Sequence, residues 1–139
     1  MATCDAPREP PRQALREPMI RVIAMPADTN PSGDIFGGWL MAQMDLAAGN
    51  MAMRVAEGRC VTVAVDAMAF LAPVHVGDEV SFYADLISMG RTSMKISVEA
   101  ERRTRFQTAT VPVTKAVFTF VAIDEDRKPR PIRQDFTRP

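Results

Sequence analysis

The chain is 139 residues long, carries 17 basic and 17 acidic side chains, and is 47% hydrophobic. This length favours one domain with a substantial core. Because the charges cancel, the sequence predicts neither nucleic acid nor a membrane surface as a partner. Of the two cysteines, Cys4 lies near the terminus, so we expect no disulfide with Cys60. No stretch has the apolar length of a membrane span or a signal-peptide core, so we expect a cytoplasmic protein.

The two ends of the chain differ in composition from its middle. Residues 1–18 contain four prolines among charged residues, which predicts a flexible N-terminal tail. Residues 19–124 form the predicted folded domain. It begins with a strand from Met19 to Met25, which Pro26 ends, and an irregular loop over residues 26–36. Residues 125–139 are charged and rich in proline, which predicts a loosely held C-terminal tail.

The segment from Gly37 to about Glu57 predicts one long helix with a wide apolar stripe. Gly58 is its predicted stop. The stripe consists of Leu40, Met41, Met44, Ala47, Ala48, Met51, Ala52 and Val55.

Alternating or β-branched segments then predict four strands in succession. Short turns between consecutive strands favour an antiparallel sheet. The helix must bury its stripe on one face of that sheet, so the fold class is α+β. The last strand is apolar on both faces, which indicates a central position or a subunit contact. The four strands run from Cys60 to Leu71, Asp78 to Met89, Arg91 to Arg103 and Val113 to Ile123.

The start of the long helix holds the strongest candidate site. Gly37 and Gly38 let a ligand approach the backbone, and the N–H groups at a helix start lack partners and favour negative charge. Such donors suit an oxyanion. Asp45 lies two turns further on, at the border of the apolar stripe, where a partly desolvated carboxylate is a better base. An ordinary solvated or salt-bridged aspartate is the alternative. This segment holds the parts of an acyl-transfer or hydrolysis site.

Other polar residues have two interpretations each. Asn30 can orient a water or hold a carbonyl, or cap its own loop. Arg91, Thr92 and Ser93 can bind a phosphate or an amide chain, or form a simple turn before a strand.

His75 is the single histidine, follows a strand end and is interpreted as a surface loop residue. No cluster of His and Cys suits zinc, and no glycine motif suits a nucleotide.

Several segments, in order, are similar to the acyl-CoA thioesterases of the hotdog fold, specifically the bacterial YciA type related to brain acyl-CoA hydrolase. The resemblance covers about residues 19–133. The matching segments are residues 25–30 (MPADTN), 33–39 (GDIFGGW), 44–45 (MD), 61–65 (VTVAV), 76–78 (VGD), 90–93 (GRTS) and 116–121 (AVFTFV).

The resemblance implies a hotdog fold, in which an antiparallel sheet wraps a long central helix. It implies hydrolysis of acyl-CoA to a free acid and coenzyme A, without a metal or redox cofactor. It also implies a homodimer whose two sheets join, commonly assembled further into a hexamer as a trimer of dimers.

The resemblance also implies roles for individual residues. The catalytic aspartate falls on Asp45 and the loop asparagine on Asn30, the two coming from different subunits. The oxyanion donors fall on the backbone of Gly37 and Gly38. The coenzyme A contact falls on Arg91, Thr92 and Ser93. Candidates for lining the acyl pocket are Phe36, Trp39 and Phe70, with plain core as the alternative for each.

Two other functions stay open on the sequence. A non-catalytic acyl-CoA-binding module would keep the fold and the ligand contacts while Asp45 did no chemistry. A hotdog hydratase or dehydratase usually needs a histidine beside a carboxylate, and the placement of His75 argues against it.

Overall fold

The computed structural model describes residues 16–134. One strand, one long helix and four further strands follow each other in the predicted order. The elements are β1 (Ile20–Ile23), a short 3-10 turn (Pro26–Asp28), α1 (Gly37–Ala56), β2 (Cys60–Phe70), β3 (Glu79–Met89), β4 (Ser93–Arg103) and β5 (Val111–Ala122).

The five strands form one antiparallel sheet in the order β1-β3-β4-β5-β2. β5 therefore has a partner on each side, which confirms the central position predicted from its two apolar faces. β2 pairs with β5 along one edge, and its other edge is open within the described chain. The antiparallel α+β arrangement is confirmed.

Helix α1 lies across one face of the sheet and buries most of the predicted stripe. Met51 is only half-buried, and Met41 is 40% exposed, so its place in the stripe is wrong. Leu40, Met44 and Val55 are buried, and the small residues Ala47, Ala48 and Ala52 bring the helix backbone close to the strands. The sheet contributes large side chains to the same core, among them Phe82, Phe118 and Ile96. Packing of this kind is what fixes the position of the helix relative to β2.

The helix ends one residue before the predicted position. Glu57, and not Gly58, takes the left-handed conformation, with φ of 52°. The amides of Glu57 and Gly58 both donate to the carbonyl of Met53, that of Gly58 at 3.1 Å, and these bonds close the last turn. The predicted stop is therefore confirmed, with the left-handed residue shifted by one.

The C-terminal segment is more ordered than predicted. Ile132 is 4% exposed and belongs to the core. Arg130 donates to the carbonyl of Ala56 at 2.8 Å and to that of Ile123 at 3.0 Å. The interpretation as a loosely held tail is therefore wrong for residues 125–134, because one apolar and one basic side chain attach the segment to the domain. Residues 135–139 lie outside the described chain.

The described part of the predicted N-terminal tail also contacts the domain. Arg16 pairs with Asp85 and Glu99, and its guanidinium lies 4.7 Å from the ring centroid of Tyr83. Residues 1–15 lie outside the described chain. No helix of residues 16–134 is both long enough and apolar enough to cross a bilayer.

Candidate active site

Asp45 lies on the third turn of α1, on the side of the helix that faces β2. The carboxylate is partly buried, as its place at the border of the stripe predicts. Its Oδ1 accepts a hydrogen bond from the hydroxyl of Thr62, with the two oxygens 2.6 Å apart. Its Oδ2 has no hydrogen-bond partner among residues 16–134. One oxygen is thus held while the other is available for chemistry.

Thr62 is a residue that the sequence does not single out as functional. It lies on β2, which has a register shift between Thr62 and Ala64. The contact joins residues 17 positions apart and depends on how α1 packs on the sheet. The one signal available in the sequence is a hydroxyl side chain in a strand that is otherwise apolar up to Asp66, and that signal does not name its partner.

The backbone at the start of α1 carries free donors. Phe36 precedes the helix in an extended conformation, and its side chain makes no capping hydrogen bond. The amide of Trp39 donates to the carbonyl of Phe36 at 3.1 Å. Within residues 16–134 no acceptor meets the N–H groups of Gly37 and Gly38. Two adjacent free amides at the positive end of a helix can hold a developing oxyanion.

Aromatic rings pack directly against the two glycines. A Cβ added to Gly37 would lie 2.9 Å from Cζ of Phe70, and one added to Gly38 would lie 3.2 Å from Cδ2 of Phe36. Neither glycine is needed for its backbone conformation, because each φ lies outside the left-handed region. A side chain at Gly37 would displace the Phe70 ring, whereas one at Gly38 would shift the exposed Phe36 ring by only a few tenths of an ångström. Phe70 is 54% exposed and Phe36 is also exposed, so neither is plain core.

Trp39 differs from the other two aromatic candidates. It is 8% exposed and packs edge-to-face on Phe82, with ring centroids 6.4 Å apart. Within one chain, Trp39 is therefore a core residue, which was the alternative to its lining the acyl pocket.

An apolar depression of about 310 Å³ opens beside the helix start, where Phe70 forms one wall. A larger cavity of about 500 Å³ lies between α1 and β3 beside Met19, and it includes neither Asp45 nor Thr62. The smaller space borders Gly37 at the helix start, and it does not include Asp45 or Thr62 either. The depression is lined by Ile35, Gly37, Leu40, Phe70, Leu71, Ala72, Pro73 and Val74.

Asn30 braces its own loop, as the structural alternative predicted. Its side-chain oxygen accepts from the amides of Ser32 and Asp34, each at 3.0 Å. Its side-chain nitrogen has no acceptor among residues 16–134, and within one chain Asn30 makes no hydrogen bond to Asp45. The loop therefore presents one free amide group with a fixed orientation.

The open edge of β2 lies next to Asp45 and Thr62. Three large apolar side chains of this strand are exposed, namely Val63 at 54%, Val65 and Phe70. Unpaired strand edges with exposed apolar side chains are templates for pairing with another chain. The candidate site is thus located at a surface suited to a second copy.

The segment Arg91–Thr92–Ser93 forms a turn before β4, which begins at Ser93 rather than at the predicted Arg91. The amide of Gly90 donates to the carbonyl of Ser93 at 2.8 Å. The side chain of Arg91 is exposed and has no ion-pair partner within the described chain. The turn alternative is confirmed for the backbone, and the arginine is free to bind a ligand.

His75 lies in an exposed loop, as predicted. Its amide donates to the carboxylate of Asp78 at 2.9 Å, and its ring Nδ1 lies 3.8 Å from the same carboxylate. No residue of the Asp45 site takes part in these contacts. Among residues 16–134, no three His, Cys, Asp or Glu side chains gather in a group that would hold a metal ion.

Known proteins share both the sequence and the fold. Residues 32–107 match the family model of the thioesterase superfamily. An uncharacterized acyl-CoA thioester hydrolase of Zymomonas mobilis is 60% identical over 81% of this chain and 76% of its own length. The acyl-CoA thioester hydrolase YciA of Salmonella typhimurium is 48% identical over 84% of this chain and 90% of its own.

Solved structures agree with these matches. HI0827, a hexameric broad-specificity acyl-coenzyme A thioesterase, superposes with a TM-score of 0.80 at 45% identity. The superposition covers 85% of this chain and 82% of that one. The fold is the predicted hotdog fold, with α1 as its central helix. The chain therefore belongs to the thioesterase superfamily.

Proposed function

We propose that the chain hydrolyses acyl-CoA to a carboxylic acid and coenzyme A. The observation that carries the proposal is the pairing of Asp45 with Thr62, two turns from the free amides of Gly37 and Gly38. A thioester needs a group that activates its attacker and donors that hold the oxygen of its carbonyl as that oxygen becomes negative. Both parts belong to one helix here, and the relatives named above are acyl-CoA thioester hydrolases.

Two routes fit this arrangement. In the first, Oδ2 of Asp45 takes a proton from water, and the resulting hydroxide attacks the carbonyl carbon. The tetrahedral oxyanion rests on the two glycine amides, the C–S bond then breaks, and the thiolate receives the proton from Asp45. In the second, the carboxylate itself attacks, the thiolate leaves, and water opens the mixed anhydride. Thr62 serves both routes by fixing the other carboxylate oxygen.

A second copy of the chain completes the proposed site. The open edge of β2 and its exposed valines support pairing of two β2 strands, which would join the sheets of two protomers. Asn30 of one protomer would then use its free amide group in the site of the other, to orient the water or the carbonyl. HI0827 is hexameric, and we propose a trimer of such dimers for this chain.

The substrate contacts follow from the surroundings of the site. Phe70 packs against Gly37 and borders the apolar depression, which would receive the acyl chain, and Phe36 packs against Gly38. Trp39 supports this wall from within the core. Arg91, Thr92 and Ser93 would contact the coenzyme A part. Both routes of hydrolysis proceed with protein side chains, backbone amides and water.

Release of free thiol from a panel of acyl-CoAs, short to long, tests the proposal. We expect turnover by the native chain and a loss of roughly 10²- to 10⁴-fold in kcat for Asp45→Asn. Asp126→Asn is the matched control, because it removes an exposed carboxylate from the β5 turn. Binding of coenzyme A should survive in both variants. Full turnover by Asp45→Asn, or none by the native chain, would contradict the proposal, and the second result would favour a non-catalytic acyl-CoA-binding module.

A further inference from the structure

Glu101, on β4, is a buried carboxylate without a partner. It is 7% exposed, and neither a hydrogen bond nor an ion pair joins it to any residue of the described chain. Burial removes the hydration of an ionised group, and the lost free energy is regained only from a partner. Across residues 16–134, the single enclosed side-chain N or O atom that lacks a partner is Nε of Arg102, so the Glu101 oxygens are still open to a ligand.

A polar cavity of about 320 Å³ gives access to this carboxylate. Glu101 lies opposite Ser81 in the pairing of β3 with β4, and Ser81 precedes Phe82, which belongs to the core between sheet and helix. Because side chains alternate along a strand, Ser81 and Glu101 lie on the outer face of the sheet, which is the face away from α1. Residues 108–110 of the connection between β4 and β5 also line the cavity. The sheet therefore separates this cavity from α1 and Asp45.

The cations that line the cavity do not neutralise Glu101, because each of these three arginines is paired with another carboxylate. A further group is needed that carries positive charge and donates hydrogen bonds. A guanidinium suits a carboxylate best, because two of its N–H groups can bind the two oxygens in parallel. The existing pairs are Arg21 and Arg103 with Glu79, and Arg102 with Asp78.

The N-terminal end of the described chain lies beside the cavity. Arg16 pairs with Asp85 and Glu99 on the outer face, and its guanidinium lies 4.7 Å from the ring centroid of Tyr83. Tyr83 also lines the cavity. Glu101 follows Glu99 by two residues on β4, which places the free carboxylate about 7 Å further along the strand. The residues that precede Arg16 therefore start within reach of Glu101.

The sequence before Arg16 supplies a guanidinium at a suitable distance. This segment lies outside the described chain, and its two arginines are Arg8 and Arg12. The four residue steps from Arg12 to Arg16 span up to about 14 Å, which exceeds the distance that remains to the free carboxylate. Residues 10–16 (PPRQALR) contain no acid, whereas Glu9 directly follows Arg8. Charge complementarity thus favours Arg12 over Arg8.

We propose that Arg12 enters the cavity and binds Glu101, so that the outer face of the sheet is the docking surface of the chain's own N-terminal segment. Two parallel N–H···O bonds give the buried carboxylate the partner that it lacks. The contacts of Arg16 with Asp85 and Glu99 are then the second attachment of the same segment. Because the cavity lies on the other side of the sheet from Asp45, the contact does not depend on the proposed function.

Limited digestion with trypsin tests the contact, because trypsin has to bind the arginine side chain that precedes the bond it cleaves. We expect the Arg12–Gln13 bond of the native chain to be cleaved roughly 10-fold more slowly than that of Glu101→Gln, which removes the charge and keeps the shape. The Arg8–Glu9 bond is the internal control and should be cleaved at the same rate in both proteins. Glu125→Gln is the matched control variant, because Glu125 is exposed on the turn after β5, and it should leave the Arg12–Gln13 rate unchanged.

A second variant decides the question if Glu101→Gln does not fold. Thr108→Arg changes an exposed position at the cavity and offers Glu101 another guanidinium, so it should release Arg12 and raise the cleavage rate as well. An Arg12–Gln13 bond cleaved equally fast in the native chain and in the folded variants would overturn the contact. A Glu101→Gln protein whose cleavage rate is unchanged while sedimentation shows a smaller assembly would also overturn it, because the cavity would then bind a second copy of the chain.

Discussion

Thr62 donates a hydrogen bond to Asp45 across the junction between the edge strand β2 and the central helix α1, with 2.6 Å between the two oxygens. The bond fixes the catalytic candidate to the strand whose other edge is open. Any movement of β2, including its pairing with a second chain, is therefore transmitted to the carboxylate. In the proposed dimer, this one contact connects the chemistry with the assembly.

Removal of the Thr62 hydroxyl should impair turnover more than substrate binding. We expect Thr62→Val to lower kcat roughly 10- to 100-fold, because the carboxylate loses a hydrogen bond to a charged group and with it a fixed orientation. KM for acyl-CoA should change little. Thr62→Ser keeps the hydroxyl and should restore most of the rate. Equal losses in both variants would mean that the methyl group of Thr62, and not its hydroxyl, matters.

A methyl group at Gly37 should disturb the helix start. The Cβ of Gly37→Ala would lie 2.9 Å from Cζ of Phe70, so the ring has to move away from the amides. We expect lower kcat/KM and lower stability, and Phe70→Ala combined with Gly37→Ala should recover stability by removing the clash.

Gly49→Ala is the control for that substitution. Its Cβ would meet Phe120 at 3.7 Å, which is an ordinary contact, and alanine favours the helix by about 1 kcal/mol. This variant should be at least as stable as the native chain in urea unfolding. A Gly37→Ala protein as active and stable as Gly49→Ala would contradict the assigned packing of Phe70.

Loss of Arg130 should destabilise the fold. Its guanidinium satisfies the carbonyls of Ala56 and Ile123, and a cation at the C-terminal end of α1 also interacts favourably with the helix dipole. We expect Arg130→Met to lower the free energy of unfolding by about 1–3 kcal/mol in a denaturant titration. Arg127→Met, an exposed change on the preceding turn, should cost much less. No difference between the two variants would show that the C-terminal segment contributes little to stability.

Cys60 should make the fold less stable in alkali. Burial raises the pKa of the Cys60 thiol, and the positive charge of Arg130 opposes part of that rise. The unfolded chain then loses its thiol proton at a lower pH than the folded one. Stability is therefore lost as the pH rises through the ordinary thiol range, and the loss is complete above the raised pKa of the folded state. Urea unfolding between pH 7 and 10 should show a shallower fall for Cys60→Ala than for the native chain, and parallel curves would refute the effect.

Most of the fold can be predicted from the sequence because the signals are local. The stripe from Leu40 to Val55 identifies α1, and alternation along β4 identifies a strand to within two residues. The place of Asp45 at the border of the stripe follows from helical spacing alone. These predictions depend on residues a few positions apart. The repeat of a helix or the alternation of a strand is enough to show which face such residues share.

Contacts between distant elements cannot be predicted in the same way. Thr62 meets Asp45 only because α1 packs on the sheet at one particular depth. Ile132 and Arg130 stand isolated among charged residues and prolines, so their segment has no period that predicts its attachment to the domain. The role of Asn30 in a second protomer is likewise a property of assembly, and it stays a prediction.

Mixing two inactive variants tests whether the hydrolytic site is shared between two protomers. Asp45→Asn and Asn30→Ala should each release little thiol from acyl-CoA when assayed alone. After subunit exchange, half of the dimers combine one copy of each, and one of their two sites has both native residues. We predict recovery of about a quarter of the native activity. No recovery in mixtures shown by differential tags to contain the mixed dimer would contradict a shared site.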